Sequence, residues 1–395
     1  MKKQISSVAL LAFISIYASA QSDYELYPSV KKAEIIYVND EKPSIDEVVE
    51  LPAISSEIQI FNLPMPEGYD GNTAQRVFLD SDRIFVSFSK KMLVYNANGE
   101  FLFELGKKSE CPESYNDSNC ITVYSDKKEI WVYYINPGRY YVYSYNGDLL
   151  RTEEGDIILM RDFVITKKGM AASVGGFLYS YPNAKDKMIS NELNILDKKK
   201  TLHYFQNPNA DGHILSNGRT FGFSEVSDSY TFHFLGSDTI YSISKRNQSV
   251  SAKYKVDFGN NGMNINFRTL PHDAVHNVMM ETGMKTGYVE AVCESDDLLY
   301  FTYRFANGMR RKSVFYNTAD HRITYRGILN ISVVNIANEF IGLSDNKMCF
   351  LIHKYNPDSK IIEGAVKGIK FSDESRKAFT GAKPNDLVVL IATLK

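Results

Sequence analysis

The chain has 395 residues, 45 basic and 47 acidic side chains, a formal net charge of −2 and 44% hydrophobic residues. This balance argues against a nucleic-acid binder, which would carry a basic excess, and beyond the N-terminus no apolar run is long enough to span a bilayer. Abundant aromatics (26 Tyr, 23 Phe) beside scarce Ala-rich stretches favour strands over helices.

Lys2 and Lys3 precede an apolar run from Ile5 to Tyr17, followed by Ala18-Ser19-Ala20. This is the pattern of a secretory signal peptide over residues 1–20, cleaved after Ala20. No Cys stands at the cleavage point, so a lipoprotein anchor is not expected. The mature chain should be soluble, exported to the periplasm or beyond the cell, and without a membrane span. Residues 21–66 carry strand-like pieces at Ala33–Val38, Val48–Leu51 and Ile58–Phe61 before Pro64 and Pro66 break the run. They do not match the repeat that occupies the rest of the chain, and they read as a closing segment of one domain shared with residues 67–395.

Arg83 to Gly106 reads as three short strands, Ile84–Phe88, Met92–Tyr95 and Phe101–Leu105. Asn98-Gly99 is expected to supply positive-φ residues for the reversal, and the Phe and Val side chains are assigned to packing. Val142–Leu150 (VYSYNGDLL) echoes Val94–Leu102 (VYNANGEFL), and Glu129–Tyr134 echoes the strand before it. Weaker copies stand at Asn194–Leu202, Ile240–Tyr254, Val314–Tyr325 and Ile352–Ile362. Six hairpins at a period of about 40–50 residues are the signature of propeller blades. The expected fold is all-β, a six-bladed propeller of four-stranded antiparallel blades. N- and C-terminal strands (the last from Leu387) would close the ring. Within Leu270–Lys285, Val275, Val278 and Met279 have helical spacing, predicting a short helical insertion near 271–284. Another helical turn is predicted at Asp373–Phe379. Such a ring is one unit, which overrides the two or three domains that length would suggest.

Three pieces resemble the NHL-like six-bladed propellers exported by Bacteroides-type bacteria, a family of unassigned function. They are RIFVSFSKKMLVYNANGEFLFELG from Arg83, GKKSECPESY from Gly106, and the terminal KPNDLVVLIATLK. In the second, Gly106, Pro112 and Tyr115 fit the family's loop, whereas Ser109, Cys111 and Glu113 replace its glycines. The resemblance implies a fold and an address, and no activity.

Candidate chemistry is sparse. His272 and His276 stand four apart, as in zincins, but Asp273 replaces the catalytic Glu and no third ligand is evident. Asn207–Gly212 resembles the start of a calcium loop, but Gly218 falls where a bidentate Glu is required. Neither Zn nor Ca is therefore expected, and no other cofactor. The carboxylates of Asp80, Asp82, Asp126, Glu153 and Glu154 are assigned to turns. Cys111 and Cys120 could bridge a polar loop, whereas Cys293 and Cys349 lie in apolar runs and read as buried thiols. Tyr133, Tyr134, Tyr140, Tyr141, Tyr143 and Tyr145 crowd the second repeat with Trp131 and Arg139; most should pack between blades, with one or two facing solvent.

The leading reading is a non-catalytic binding module. Its contacts would lie at one channel mouth, in segments 106–116, 155–162, 207–217, 259–285 and 327–335. The contact residues singled out there are Tyr115, Arg161, His213, Arg268 and His272. The partner would be a protein, peptide or glycan, and the protein a monomer. The alternatives are a glycan- or lactone-directed hydrolase or lyase with its site in the axial channel, and a structural component of an envelope complex.

Overall fold

The computed structural model describes residues 24–26, 28–38, 48–74, 76–80, 82–88, 91–105, 119–134, 138–154, 162–168, 172–177, 190–197, 200–207, 223–233, 237–259, 262, 288–305, 310–330, 340–344, 347–352, 373, 377, 381–383 and 385–395. Four strands come first: β1 (Tyr24–Leu26), β2 (Glu34–Tyr37), β3 (Val48–Glu50) and, after one helical turn at Leu51–Ile54, β4 (Ser55–Leu63). The first sheet holds β5 (Arg76–Asp80), β6 (Arg83–Ser87), β7 (Met92–Asn96) and β8 (Phe101–Glu104). The second holds β9 (Asn119–Tyr124), β10 (Glu129–Tyr134), β11 (Arg139–Ser144) and β12 (Leu149–Glu154). β13 (Phe163–Val164), β14 (Ala172–Phe177), β15 (Ser190–Asp197) and β16 (Lys200–Asn207) form the third. β17 (Ser224–Val226), β18 (Ser229–His233), β19 (Thr239–Ser244) and β20 (Val250–Asp257) form the fourth. The fifth contains β21 (Val289–Glu294), β22 (Leu298–Phe305), β23 (Arg310–Asn317) and β24 (Arg322–Asn330). The sixth combines β25 (Phe340–Ser344), β26 (Lys347–Ile352) and β27 (Leu387–Leu394) with β4. The architecture is an all-β propeller of four-stranded antiparallel units.

The buried residues fall into clusters that each join two consecutive sheets. Phe85 and Val94 meet Ile130 and Tyr143, Tyr140 meets Phe163, and Leu193 meets Phe232. Ile240 meets Phe301, Phe315 meets Phe350, and Val389 meets Val86. Each sheet thus buries both faces against neighbours, which a single blade cannot do. A fully buried side chain of this size contributes about 1.5–3 kcal/mol.

The N-terminal segment does more than close the ring. β1, β2 and β3 add parallel fifth strands to the outer edges of β16, β20 and β24, and only β4 pairs antiparallel, with β27. The β4–β27 junction is clamped by Asp386, whose carboxylate accepts from Asn62 Nδ2 (3.0 Å), Met65 N (3.2 Å) and Lys383 N (2.8 Å). Gly71 packs beside it, its N–H donating to Asn385 O at 2.9 Å; a Cβ there would lie 2.8 Å from Leu387 N.

Several expectations need correcting. Of the hairpin expected at Ile352–Ile362 only Ile352 is described, as the end of β26, which pairs with β25 on one edge and β27 on the other; the rest lies outside the described residues. Asn98 does not take positive φ; Gly99 alone does (φ 81°), while Asn96 Oδ1 accepts from the N–H groups of Asn98 (3.0 Å) and Glu100 (2.9 Å). Phe101 is 40% exposed, since β8 is an outer edge strand rather than a packed one. None of the six tyrosines of the second repeat faces solvent, as β10 and β11 are inner strands covered on both faces. Glu153 and Glu154 lie in β12, not in a turn. The helical insertion near 271–284 lies outside the described residues, as does most of Asp373–Phe379.

Candidate functional site

Antiparallel alternation sends the turns β5–β6, β9–β10, β17–β18 and β21–β22 to one end of the ring. These turns share a dipeptide, Ser81-Asp82, Ser125-Asp126, Ser227-Asp228 and Ser295-Asp296, and Ser344 with Asp345 continues the series in the sequence. A cluster of polar side chains lies there. Glu225 on β17 accepts from Ser125 Oγ (2.8 Å) and from Lys245 Nζ (2.7 Å). Ser125 lies in the β9–β10 turn of the second sheet and Glu225 on β17 of the fourth, so this bond links two sheets that are not neighbours in chain order. Lys245 is buried, lies 5.2 Å from the centroid of the Tyr230 ring and is 4.0 Å from Asp126. Asp80 accepts from Tyr145 Oη (2.7 Å) and Lys128 Nζ (2.8 Å), and the Ser227 N–H donates to Asp296 at 3.1 Å.

Burial followed by the Asp80 hydrogen bond pushes the Tyr145 phenol far above its usual range. Burial and then the nearby Glu225 charge do the same to Tyr230. Both phenols therefore stay protonated and act as fixed donors or packing groups, not as bases. Deeper between the fourth and fifth sheets, Glu294 is 1% exposed and accepts from Thr231 Oγ1, Tyr254 Oη (2.6 Å) and Lys253 Nζ (2.8 Å). Glu129, also buried, receives Arg151 in a two-pronged contact (2.7 and 3.0 Å) and Trp131 Nε1 at 2.9 Å. Burial alone would raise the Glu129 carboxyl, but the Arg151 and Trp131 hydrogen bonds outweigh it and hold it below the usual range. These carboxylates already have donors, so they serve as anchors rather than exposed acids. Among the described residues no group of three or more His, Cys, Asp or Glu side chains is arranged to hold a metal ion.

A second feature is a cleft of about 580 Å³ between the fifth and sixth sheets, lined by Asp297, Asn317, Arg322, Thr324, Tyr325 and Lys395 over a floor of Ile54, Leu298, Phe315, Ile323 and Leu394.

The chain belongs to the DUF4934 family, a domain of unknown function. The family profile matches residues 71–378. No curated protein matches the sequence. A "Putative exported protein" of Bacteroides fragilis superposes with a TM-score of 0.63 at 13% identity, over 91% of this chain and 100% of that one. It is similar in fold. A member of the DUF4221 family from Bacteroides vulgatus gives a TM-score of 0.48 at 10% identity, over 87% and 97% of the two chains. Among the described residues no helix is long and apolar enough to cross a membrane.

Tyr115, Arg161, His213, Arg268 and His272 all lie outside the described residues, as do His276, Cys111 and most of the Asn207–Gly212 segment. Cys120 lies in β9 opposite Tyr133. Cys349 is buried, and burial followed by the nearby Cys293 pushes its thiol up. Sequence reasoning named Asp80 and Asp126 but missed Ser125, Glu225 and Lys245. The recurring Ser-Asp was the available signal, since it marks the first turn of every unit but the third, even where the Asn-Gly turn is lost.

Proposed function

We propose that the protein is an exported, non-catalytic interaction propeller of the NHL-like kind with six blades. It engages a protein, peptide or glycan through loops at one mouth of the ring. The six sheets and the ring of clusters joining them support the blade count. The observation that carries the binding reading is the bond from Ser125 to Glu225 between two non-adjacent sheets, backed by Lys245. It ties separate sheets together at the Ser-Asp end, which favours the opposite end for partner contacts. The chain leaves β8 and enters β9 at the opposite end, and the same holds for the later outer-to-inner connections. Those connections carry the five proposed contact residues. The signal-like N-terminus and the fold shared with the Bacteroides fragilis protein support export, with cleavage after Ala20.

Peptide and glycan arrays probed with purified protein, alongside metal analysis and glycan and lactone hydrolysis assays, test this reading. Array binding without turnover is the expected result. A tightly held equivalent of Zn or Ca accompanied by hydrolysis would overturn it in favour of the enzyme. N-terminal sequencing of the exported protein should return Gln21 first.

A further inference from the structure

We propose that the cleft between the fifth and sixth sheets is a binding site for a neutral saccharide. This site is separate from the loop mouth, so its test stands whatever the mouth binds. The cleft, about 580 Å³, is within the range of small-ligand pockets. Six of its lining residues are polar and five apolar. That mixture suits a ligand carrying hydroxyl groups on its edges and C–H groups on its faces. An acyl chain would leave the polar groups dry and unpaired, which is costly.

Tyr325 provides the platform. It is 40% exposed, and its ring stands edge-on to buried Phe315, with centroids 6.2 Å apart at 88°. Phe315 thus fixes the ring while one face stays accessible, the arrangement that a sugar's C–H face packs against. Thr324 beside it is tied down by donating to Phe315 O at 3.1 Å. Around this platform both hydrogen-bonding senses are present, as hydroxyls require: Asp297 accepts, whereas Arg322 and the Asn317 Nδ2 group donate, the Asn317 Oδ1 being taken by the Ala319 and Asp320 N–H groups.

The charges favour a neutral ligand over an anion. Arg322 is already paired with Asp320 at 3.2 Å, and Lys395 Nζ donates to Ala53 O at 2.8 Å. Asp297 adds a negative charge to the same wall. An anion would have to displace Asp320 and then face Asp297, whereas a hydroxyl can share the remaining guanidinium N–H groups.

The test is saturation-transfer NMR on the full chain with neutral trisaccharides of glucose, mannose and N-acetylglucosamine, and with a uronic acid trisaccharide for comparison. At least one neutral sugar should bind with Kd at or below about 1 mM. Tyr325→Ala and Arg322→Ala should each weaken it about tenfold or more. Tyr37→Ala, at a side chain 66% exposed on the edge strand β2 of the fourth sheet, should leave it unchanged. Both test positions are exposed, and Trp131 emission reports whether each variant is folded. The proposal is overturned if no neutral sugar binds, if only the uronic acid binds, or if folded Tyr325→Ala and Arg322→Ala bind like the wild type.

Discussion

His233 offers a quantitative test of the packing between the fourth and fifth sheets. It sits at the end of β18, opposite Ile240, and is 2% exposed. Burial lowers its pKa from 6.5 to about 4, although the Glu290 backbone and carboxylate pull the other way. The folded protein therefore keeps the ring neutral while the unfolded chain protonates it from 6.5 downward. Because the folded value is the lower one, the unfolded state binds the extra proton, and stability is lost as pH falls through this window. Linkage with these two values gives a loss of about 2 kcal/mol by about pH 5 and about 3 kcal/mol by about pH 4, with none above about pH 7.5. Urea unfolding followed by the single Trp131 reads this directly. With a slope of about 3 kcal/mol per M, the midpoint should fall by roughly 0.7 M between about pH 8 and about pH 5. His233→Gln removes the titrating ring, so its midpoint should fall less over the same interval, whatever its absolute stability. If the two proteins lose stability in parallel, the ring is not held neutral by burial and the reasoning fails.

Other substitutions probe other parts of the ring. Glu294→Gln removes the charge that Lys253, Tyr254 and Thr231 surround; urea unfolding should show a loss of about 3 kcal/mol, and a loss too small to measure would mean the charge is not needed. Gly71→Ala forces a Cβ to 2.8 Å from Leu387 N; a loss of about 1–3 kcal/mol is expected, and an unchanged midpoint would show that the junction yields without cost. Arg151→Met takes two donors from buried Glu129 and lifts the guanidinium from its place 5.0 Å from the Trp131 ring centroid. It should cost about 2 kcal/mol at neutral pH and shift Trp131 emission. The depressed Glu129 carboxyl stabilises the protein above its unfolded pKa and loses that contribution as pH falls through the folded one, so this acid loss should shrink in the variant.

The sequence carried the repeat where turn chemistry was conventional. Asn96 and Ser144 each cap a turn that ends in a positive-φ glycine, Gly99 or Gly147, and those two copies stood out. In the fourth and fifth sheets the same role falls to Gln248 (φ 62°) and His321 (φ 54°), capped by Ser244 and Asn317. Geometry is kept there without the glycine that advertises it, so the copies looked weak. Alternation within β8 could not reveal that Phe101 lies on an outer strand, because edge position is a property of the sheet. Nor could local sequence show that Val48–Glu50 would run parallel to Ile328–Asn330, a pairing that depends on the whole ring. The candidate site was least legible of all: Glu225 and Ser125 stand a hundred residues apart and meet only because the ring brings the β9–β10 turn beside β17.

The N-terminal segment gives the ring an asymmetry that the repeat alone would not have. Exposed outer strands invite pairing with other chains, and β1, β2 and β3 cover those of the third, fourth and fifth sheets from within the same chain. β4 supplies the sixth with its outer strand. Among the described residues, β8 and β12 receive no such partner, and they present Phe101, Leu102, Leu149 and Leu150 at 36–51% exposure. The covered arc also holds the buried charge network of Glu294 and the ties from Glu34 on β2 to Tyr316 and His321 of the fifth sheet. Strand addition and charge pairing therefore stiffen the same half of the ring. The saccharide cleft opens at the far limit of that arc, where the fifth sheet meets the closing sixth. Its walls are held by the Leu51–Ile54 turn and by the last residues of β27, both fixed by ring closure. A ligand there would bind the folded chain and not the unfolded one, and would thus stabilise the closure itself.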